Sequence, residues 1–287
     1  MDEVAEIMDA VAGAARKRTA TQAGGMLLAL SRDWRVSHVS ENCAELLGIA
    51  PDRLLSQPIA ALLVPATVHA MRNRLALIRG ETETERLYHV PLVHGGAAFD
   101  LMLRLRGEKA IIEAFPAIES EGLDVASWVL GRLPSNDLAA QQLLDRAVLE
   151  LRALTGFDAV LVFRSGSSET AALSRRTGAS PFAALSPHPA AGLLQLVMDA
   201  EASPVAVQSR SEPIETSGLL CGAEPDFADF ARSNGARSAL VLPVGDWGFA
   251  VLLHHAPRAV ALARLAAAEL FAAMLALRLQ LADQRSG

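Results

Sequence analysis

The fold of this chain is decided by the stretch Gly235-Ala-Arg-Ser-Ala-Leu-Val-Leu-Pro-Val-Gly-Asp-Trp-Gly-Phe-Ala-Val-Leu-Leu-His-His-Ala-Pro-Arg258. Two apolar, β-prone runs, residues 238–244 and 247–254, flank a Gly-Asp pair, which predicts two antiparallel strands joined by a tight turn. Both runs are almost continuously apolar, so we expect both faces of their sheet to be covered. Pro257 cannot donate a backbone hydrogen bond, so the second strand ends at its pair of histidines.

A long helix is predicted to follow, over residues 259–284. Its apolar residues occupy more than the stripe that packing on one sheet requires, so we expect a second apolar face. We place Leu275 and Leu279 on that outer face. The expected partner is a second copy of the chain, since a closed pair is the commonest assembly. The alternative is a helix that is buried entirely within one subunit.

Length and composition indicate a globular protein of about two domains. Of the 287 residues, 51% are hydrophobic and 20% are charged, and the net charge is −6. Since no long basic run is present, we expect no nucleic-acid partner. Cys43 and Cys221 form no metal-binding pattern, which predicts no metal site and a cytoplasmic location. An acidic start and the absence of an uncharged apolar run of about 18 residues predict no signal peptide and no membrane helix.

Patterns along the chain predict an α+β protein of two domains, each an antiparallel sheet covered by helices. The first domain spans residues 25–118, with two strands, small helices and then three strands. Residues 119–137, rich in Gly, Pro, Ser and Asn, are predicted to form a linker. The second domain spans residues 138–287. Its predicted elements are helices at 138–154, 190–200 and 225–234, strands at 157–163, 169–175 and 204–208, and then the two strands and the terminal helix described above.

Several motifs resemble the PAS and GAF domains of phytochromes, and of bacteriophytochromes in particular. Val36-Ser-His-Val-Ser-Glu-Asn42, followed by Leu46-Leu47-Gly48, resembles the start of the phytochrome PAS domain. Thr155-Gly-Phe-Asp158 and the strand after it resemble the start of the GAF domain. Trp247-Gly248 and the later His-His-x-Pro-Arg run resemble its end. The resemblance implies a photosensory PAS–GAF module.

The resemblance also implies an arrangement of the segments. The PAS domain takes residues 25–118 and the GAF domain residues 138–287, and residues 1–24 form an N-terminal segment. In phytochromes that segment passes through a GAF loop in a figure-of-eight knot, which here implies a passage beneath residues 209–224. Phytochromes also dimerise through a helix at the position of the terminal helix, which adds to the homodimer prediction.

Phytochromes hold a bilin in the GAF domain, and the cysteines that attach it have no match here. Bacterial members use a cysteine ahead of the PAS domain, and residues 1–24 contain none. Plant and cyanobacterial members use a GAF cysteine directly before a histidine, and those positions match Asp226 and Phe227. Cys221 lies too far upstream to replace that cysteine. We therefore expect no covalent bilin, although a non-covalent bilin or another tetrapyrrole stays open.

The resemblance suggests candidate cofactor contacts. His254 is the first histidine of the pair, Phe163 stands where a pocket tyrosine is usual, and Phe227 takes the histidine position. His188 lies in the nearest match to a Pro-Ala-Ser-Asp-Ile-Pro motif, and Ser238 opens the first strand of the hairpin. The simpler alternatives are a histidine bonded to a backbone carbonyl, core phenylalanines and a surface-loop histidine. If a tetrapyrrole binds, we expect His254→Ala to weaken binding more than His188→Ala.

Three functions stay open at this point. The first is a phytochrome-like sensory and signal-transduction protein whose bilin pocket is degenerate. The second is a chromophore-free PAS–GAF scaffold that regulates a partner protein by contact. The third is an enzyme, and it is disfavoured because the chain has no GxSxG, P-loop or HExxH motif. We therefore predict no catalytic residues.

Overall fold

The computed structural model describes residues 20–118, 124–135, 138–167, 169–178, 182, 194–210, 214, 218–220 and 225–286. They divide into two compact units. The first unit combines the residues up to Ala117 with those at 203–220, and the second takes residues 118–202 and those from Pro225 onward. Both are antiparallel sheets with helices, so the predicted α+β fold is confirmed.

The first unit is built on a sheet of seven described strands in the order β1-β10-β3-β2-β6-β5-β4. Its strands are β1 (Ala20–Thr21), β2 (Met26–Leu30), β3 (Val36–Ser40), β4 (Glu85–Pro91), β5 (Ala98–Arg106), β6 (Lys109–Pro116) and β10 (Val205–Ser209). Between β3 and β4 lie α1 (Cys43–Leu47), α2 (Pro51–Leu54), a 3-10 turn (Ile59–Ala61) and α3 (Pro65–Leu75).

One apolar core fills the space between this sheet and its helices. Leu28 and Ile112 from the strands and Met71 from α3 are fully buried there. Cys43, in α1, belongs to the same core, and burial raises the pKa of its thiol to about 11. Because the thiolate is the reactive form, Cys43 is an inert core residue.

The second unit is built on a five-stranded sheet in the order β8-β7-β12-β11-β9. Its strands are β7 (Ala159–Arg164), β8 (Thr170–Arg175), β9 (Gln195–Val197), β11 (Ser238–Val244) and β12 (Gly248–His254). Its helices are α4 (Val125–Arg132), α5 (Ala140–Thr155), α6 (Pro225–Ser233) and α7 (Leu262–Ser286). The predicted hairpin is confirmed, since β11 and β12 pair from Ser238 with His254 to Val244 with Gly248.

Both faces of this second sheet are covered, as the apolar runs predict. Helices α5 and α7 pack together and cover one face, which we call the helix face. Helix α6 packs against the other face, which we call the aromatic face. Strand residues on the aromatic face are Ala159, Leu161, Phe163, Val197, Ala239, Val241, Phe249, Val251 and Leu253.

The predicted linker contains a helix that the sequence analysis missed. Asp124 caps α4, because its Oδ1 accepts hydrogen bonds from the backbone N–H groups of Ala126 at 3.1 Å and Ser127 at 3.3 Å. The ring of Trp128 packs on that of Phe271, in α7, at 5.8 Å between centroids. A side-chain cap and one aromatic contact therefore stabilise a helix in a stretch whose composition favours a loop.

The helix predicted over residues 190–200 is wrong in the part that the structure describes. Gln195–Val197 is the edge strand β9, in which Val197 pairs with Ala239 and Gln195 with Val241. The apolar run there serves pairing with β11 rather than a helical face, a choice that depends on a distant strand.

The described residues at 203–220 lie inside the predicted second domain in sequence but pack in the first unit. Strand β10 joins the first sheet, where Val207 pairs with Ser40 and Ala206 with Ala20. The part of the N-terminal segment that the structure describes thus contacts this stretch. Residues 1–19, on which the predicted knot depends, lie outside the described residues.

The outer face predicted for the terminal helix is wrong in its residues. Leu275 and Leu279 are fully buried, whereas Leu270, Leu277 and Leu281 are 41%, 55% and 51% exposed. A second apolar stripe exists, but it runs through a different set of leucines. By length and composition α7 could cross a membrane over Leu262–Arg285, and core helices of soluble proteins share that length and composition. Half of its most apolar 18-residue stretch is buried.

Candidate functional site

Two imidazoles meet one carboxylate where β12 ends. The Nδ1 atoms of His254 and His255 lie 2.7 Å and 3.1 Å from Oδ2 of Asp158. The backbone N–H of His255 donates to the same oxygen at 3.2 Å. Nδ1 of His254 has no hydrogen-bond partner, so it attracts the carboxylate as an ion pair only when the imidazole is protonated. Asp158, the residue directly before β7, therefore contacts both histidines.

The charges around this carboxylate set the protonation of the cluster. Burial raises the pKa of Asp158, but hydrogen bonds from His255 and the nearby imidazoles outweigh it, so the pKa lies below its ordinary 3.8. Burial lowers the pKa of His254, and attraction to Asp158 opposes this only in part, because Arg258, His255 and Arg176 disfavour another positive charge. At neutral pH His254 is thus a neutral imidazole beside an ionised carboxylate.

The two histidines lie on different sides of the second sheet. Side chains alternate along a strand, and Leu253 lies on the aromatic face, so His254 belongs to the helix face. There its ring meets that of Phe157 edge-on at 6.0 Å. The ring of His255 instead stacks on Phe182 at 4.1 Å, and Phe182 packs against the aromatic face. His255, which the sequence analysis did not single out, therefore contacts the aromatic face.

Ser238 shares the helix face with His254 and ties strand ends together. Its side chain is fully buried. The hydroxyl lies 2.5 Å from the carbonyl oxygen of Met198 and 3.0 Å from that of Ala256, and its single hydrogen can serve either. An otherwise apolar strand has a serine here because its hydroxyl donates a hydrogen bond to a buried carbonyl oxygen, which is a structural role.

Phe163 and Phe227 come together on the aromatic face. Phe163 is 1% exposed and stacks on Phe249 at 5.3 Å between centroids. Phe227 is fully buried and stacks on Phe230, its neighbour in α6, at 5.9 Å. His188 lies outside the described residues. Of the predicted contacts, the structure brings the two phenylalanines together and places His254 and Ser238 on the opposite face.

One buried polar group on the aromatic face was not predicted. Gln195 pairs with Val241, and strand alternation gives its side chain the same face as Val197. It is 2% exposed, and its Oε1 accepts no hydrogen bond. No sequence pattern marks it, because the strand itself was predicted as a helix. Across the described ranges, no three His, Cys, Asp or Glu side chains lie close enough together to hold a metal ion.

Comparison with known proteins identifies both halves of the chain. Residues 15–117 match the PAS fold family and residues 139–279 match the GAF domain family. The chain is therefore a PAS–GAF protein. Its two-domain fold is similar to that of solved bacteriophytochrome structures. A comparison with curated protein sequences gave no match.

Similar solved structures include chromophore-binding domains of bacteriophytochromes. The one from Stigmatella aurantiaca, in the Pr state, has a TM-score of 0.75 and 23% identity, covering 90% of this chain and 95% of that one. That of an unusual bacteriophytochrome from R. palustris has a TM-score of 0.77 and 24% identity, covering 93% and 96%. The chain spans 58% of the Stigmatella photosensory core module, at a TM-score of 0.77.

The described residues of the aromatic face do not fit the polar groups of a tetrapyrrole. Such a ligand carries carboxylates and ring nitrogens, and buried polar groups need hydrogen-bond partners. The strands offer phenylalanine, leucine and valine side chains there, and Leu253 takes the last position on that face. The polar groups identified beside them are the imidazole of His255 and the amide of Gln195.

Proposed function

We propose that this chain is a sensory and signal-transduction module of phytochrome-like fold, with a degenerate bilin pocket, that works as a chromophore-free scaffold. The observation that carries the proposal is the composition of the aromatic face. Phe163, Phe249 and Phe227 fill it as buried side chains, and His254 lies on the other face beside Asp158. A GAF sheet whose face is filled by packed core side chains is better suited to a structural role than to tetrapyrrole binding.

A second candidate is non-covalent binding of a bilin or another tetrapyrrole. Two groups favour it: the imidazole of His255, stacked on Phe182, and the unpartnered Oε1 of Gln195. A planar ligand with an N–H group could stack on the first and donate to the second. We propose this as the alternative function of the same face.

One experiment separates the two candidates. The protein is purified after co-expression with a biliverdin source, and separately titrated with haem, and its visible absorbance is measured. The scaffold predicts spectra equal to those of free pigment with inert carrier protein. A shifted, saturable band would overturn it and favour the second candidate. In that case we expect His255→Ala to weaken the band more than His254→Ala or His188→Ala.

We also propose how the module is deployed. Its partners are a second copy of the chain, joined through the exposed stripe of α7, and a signalling protein contacted by the pair, without nucleic acid or membrane. The stripe consists of Leu270, Leu277 and Leu281, with Ala266 and Ala273 between or beside them at spacings of three and four residues. The proposed location is the cytoplasm, where two lone cysteines stay reduced. We propose no catalytic activity.

A further inference from the structure

One stretch of the chain, which we call the crossing segment (the described residues at 203–220), leaves the second unit and joins the first. Residues up to Ala202 and residues from Pro225 onward belong to the second unit. Between them, β10 sits in the first sheet between β1 and β3. The chain of the second unit is therefore bound into the first sheet at its middle. Strand pairing alone accounts for only part of this binding.

A buried carboxylate receives the far end of the crossing segment. Glu113, in β6, has a side chain that is only 2% exposed. Its Oε1 accepts the backbone N–H of Leu220 at 2.6 Å, and its Oε2 accepts that of Leu219 at 3.3 Å. Arg104, from β5, lies 3.1 Å from Oε2 and supplies the opposite charge. A carboxylate is rarely buried without such partners, because losing its water is costly.

The carbonyl groups of the same turn are held from the N-terminal side. The backbone N–H of Gln22 donates to the Leu220 oxygen at 3.0 Å, and its side-chain amide donates to the Leu219 oxygen at 2.9 Å. Both leucines are 1% exposed. The turn at Leu219 and Leu220 thus has its N–H groups on Glu113 and its carbonyls on Gln22.

The residue before this turn is fitted to the carboxylate. A Cβ atom added at Gly218 would lie 2.2 Å from Oε1 of Glu113, closer than real contacts allow. Only glycine therefore lets the backbone approach the carboxylate at this distance. Glycine is needed at residue 218 to leave space for the carboxylate and not for an unusual backbone conformation, because Gly218 does not have a positive φ.

We propose that Glu113 is a latch that locks the crossing segment into the first unit. Two charge-assisted hydrogen bonds from consecutive amides fix the turn, and Gly218 permits the close approach. Opening the crossing segment requires the carboxylate to give up both amides while it stays buried beside Arg104. The crossing segment is therefore held to the first sheet by this carboxylate as well as by the pairing of β10.

Hydrogen exchange of individual amides tests the latch in the full chain. In Glu113→Gln, the side-chain oxygen can accept one N–H, but the NH₂ group cannot accept the other. Since hydrogen bonds to charged groups contribute more than neutral ones, we expect the Leu219 and Leu220 amides to exchange about tenfold to a hundredfold faster. Glu108→Gln, at an exposed ion pair with Arg32, is the matched control and leaves both rates unchanged.

A second variant disturbs the contact between Glu113 and the turn by changing the turn instead of the carboxylate. Gly218→Ala pushes the carboxylate away without altering β6, so it decides the matter even if Glu113→Gln does not fold. Gly80→Ala is its control, because no atom lies within 4 Å of an added Cβ there. If the latch exists, Gly218→Ala also accelerates exchange at both leucines, and adding Glu113→Gln increases it little. Exchange at the wild-type rate in Gly218→Ala overturns the proposal.

Discussion

At the scale of single residues, Asp158 decides what the histidine pair can do. Its carboxylate holds His254 at 2.7 Å and His255 at 3.1 Å, and only the second ring contacts the aromatic face. The sequence shows that both histidines end a strand, but which of them turns to which face depends on strand register. Register is set by turn geometry and by an apolar pattern that differs between the two faces, and β12 is apolar on both faces, so its pattern does not tell them apart.

The buried imidazole predicts how stability depends on pH. The pKa of His254 is lowered from 6.5, chiefly by burial. Below that value the unfolded chain takes up a proton that the folded chain resists, so the free energy of unfolding falls as the pH falls from about 7 to about 5. Asp158 adds nothing in this window, because the stability from its lowered pKa is lost only below its ordinary 3.8.

Urea unfolding across that pH window checks this expectation. His254→Gln removes the titrating group, so its stability should depend less on pH than that of the wild type. His69→Gln, at an exposed position in α3, is the control and should keep the wild-type slope. Equal slopes for His254→Gln and the wild type would contradict the assignment.

The second prediction at this scale concerns the stability cost of replacing Gly156, the glycine that ends α5. Gly156 has φ 68°, and a Cβ there would lie 2.3 Å from an Nη atom of Arg258. Gly166 has φ 76° with no atom within 4 Å of an added Cβ, so Gly166→Ala measures the backbone strain alone, about 1 kcal/mol. Gly156→Ala should cost about 1 kcal/mol more in urea unfolding, because Arg258 must leave the Thr155 oxygen. Equal costs for the two variants would rule out this role for Arg258.

At the scale of elements, the terminal helix carries two apolar surfaces that differ in exposure. One contains Leu275 and Leu279 and is fully buried. The other contains Leu277, which is 55% exposed. The sequence predicts that two surfaces exist, because apolar residues exceed one stripe. It does not assign the residues to them, because the angle at which the helix meets its sheet is a property of packing.

If the exposed leucines of α7 form the proposed dimer contact, a charged residue introduced among them should separate the two copies. Leu277→Glu should give a folded monomer by light scattering, because a charge is unfavourable at a helix pair but tolerated in water. Leu275→Glu should fail to fold, since the same charge is buried. Leu173→Glu, at an exposed leucine of β8, is the control and should stay dimeric. A wild-type protein that is monomeric at high micromolar concentration would end the dimer proposal.

Elements whose signals are local were predicted correctly, and elements that depend on distant partners were not. The β11–β12 hairpin follows from two apolar runs and a Gly-Asp turn. Strand β9 and the place of β10 follow from which strands they pair with, and α4 depends on the Trp128–Phe271 contact. Of the candidate site, the motifs single out Phe163 and Phe227 separately, and the structure shows that they share one face, whereas His255 needed the structure.

At the scale of the whole molecule, the chain combines a phytochrome-like fold with a GAF face whose described residues are mostly apolar, with Gln195 and His255 as the polar groups identified there. Both family matches and the bacteriophytochrome structures agree on the fold. The fold does not decide whether a bilin is attached covalently, because attachment depends on the two cysteines of the chain, Cys43 and Cys221. Cys43 is buried in the first core, where its thiol pKa of about 11 disfavours attack on a pigment.

The most direct test is zinc fluorescence on a denaturing gel after co-expression with a biliverdin source. Only a covalent adduct survives denaturation, so the measurement does not depend on weak binding. We predict no fluorescent band for the wild-type chain, alongside a strong band for a bilin-attaching phytochrome treated in the same way. A band in the wild type that disappears in Cys221→Ala, and persists in Cys43→Ala, would contradict a degenerate pocket and make the chain a covalent photoreceptor.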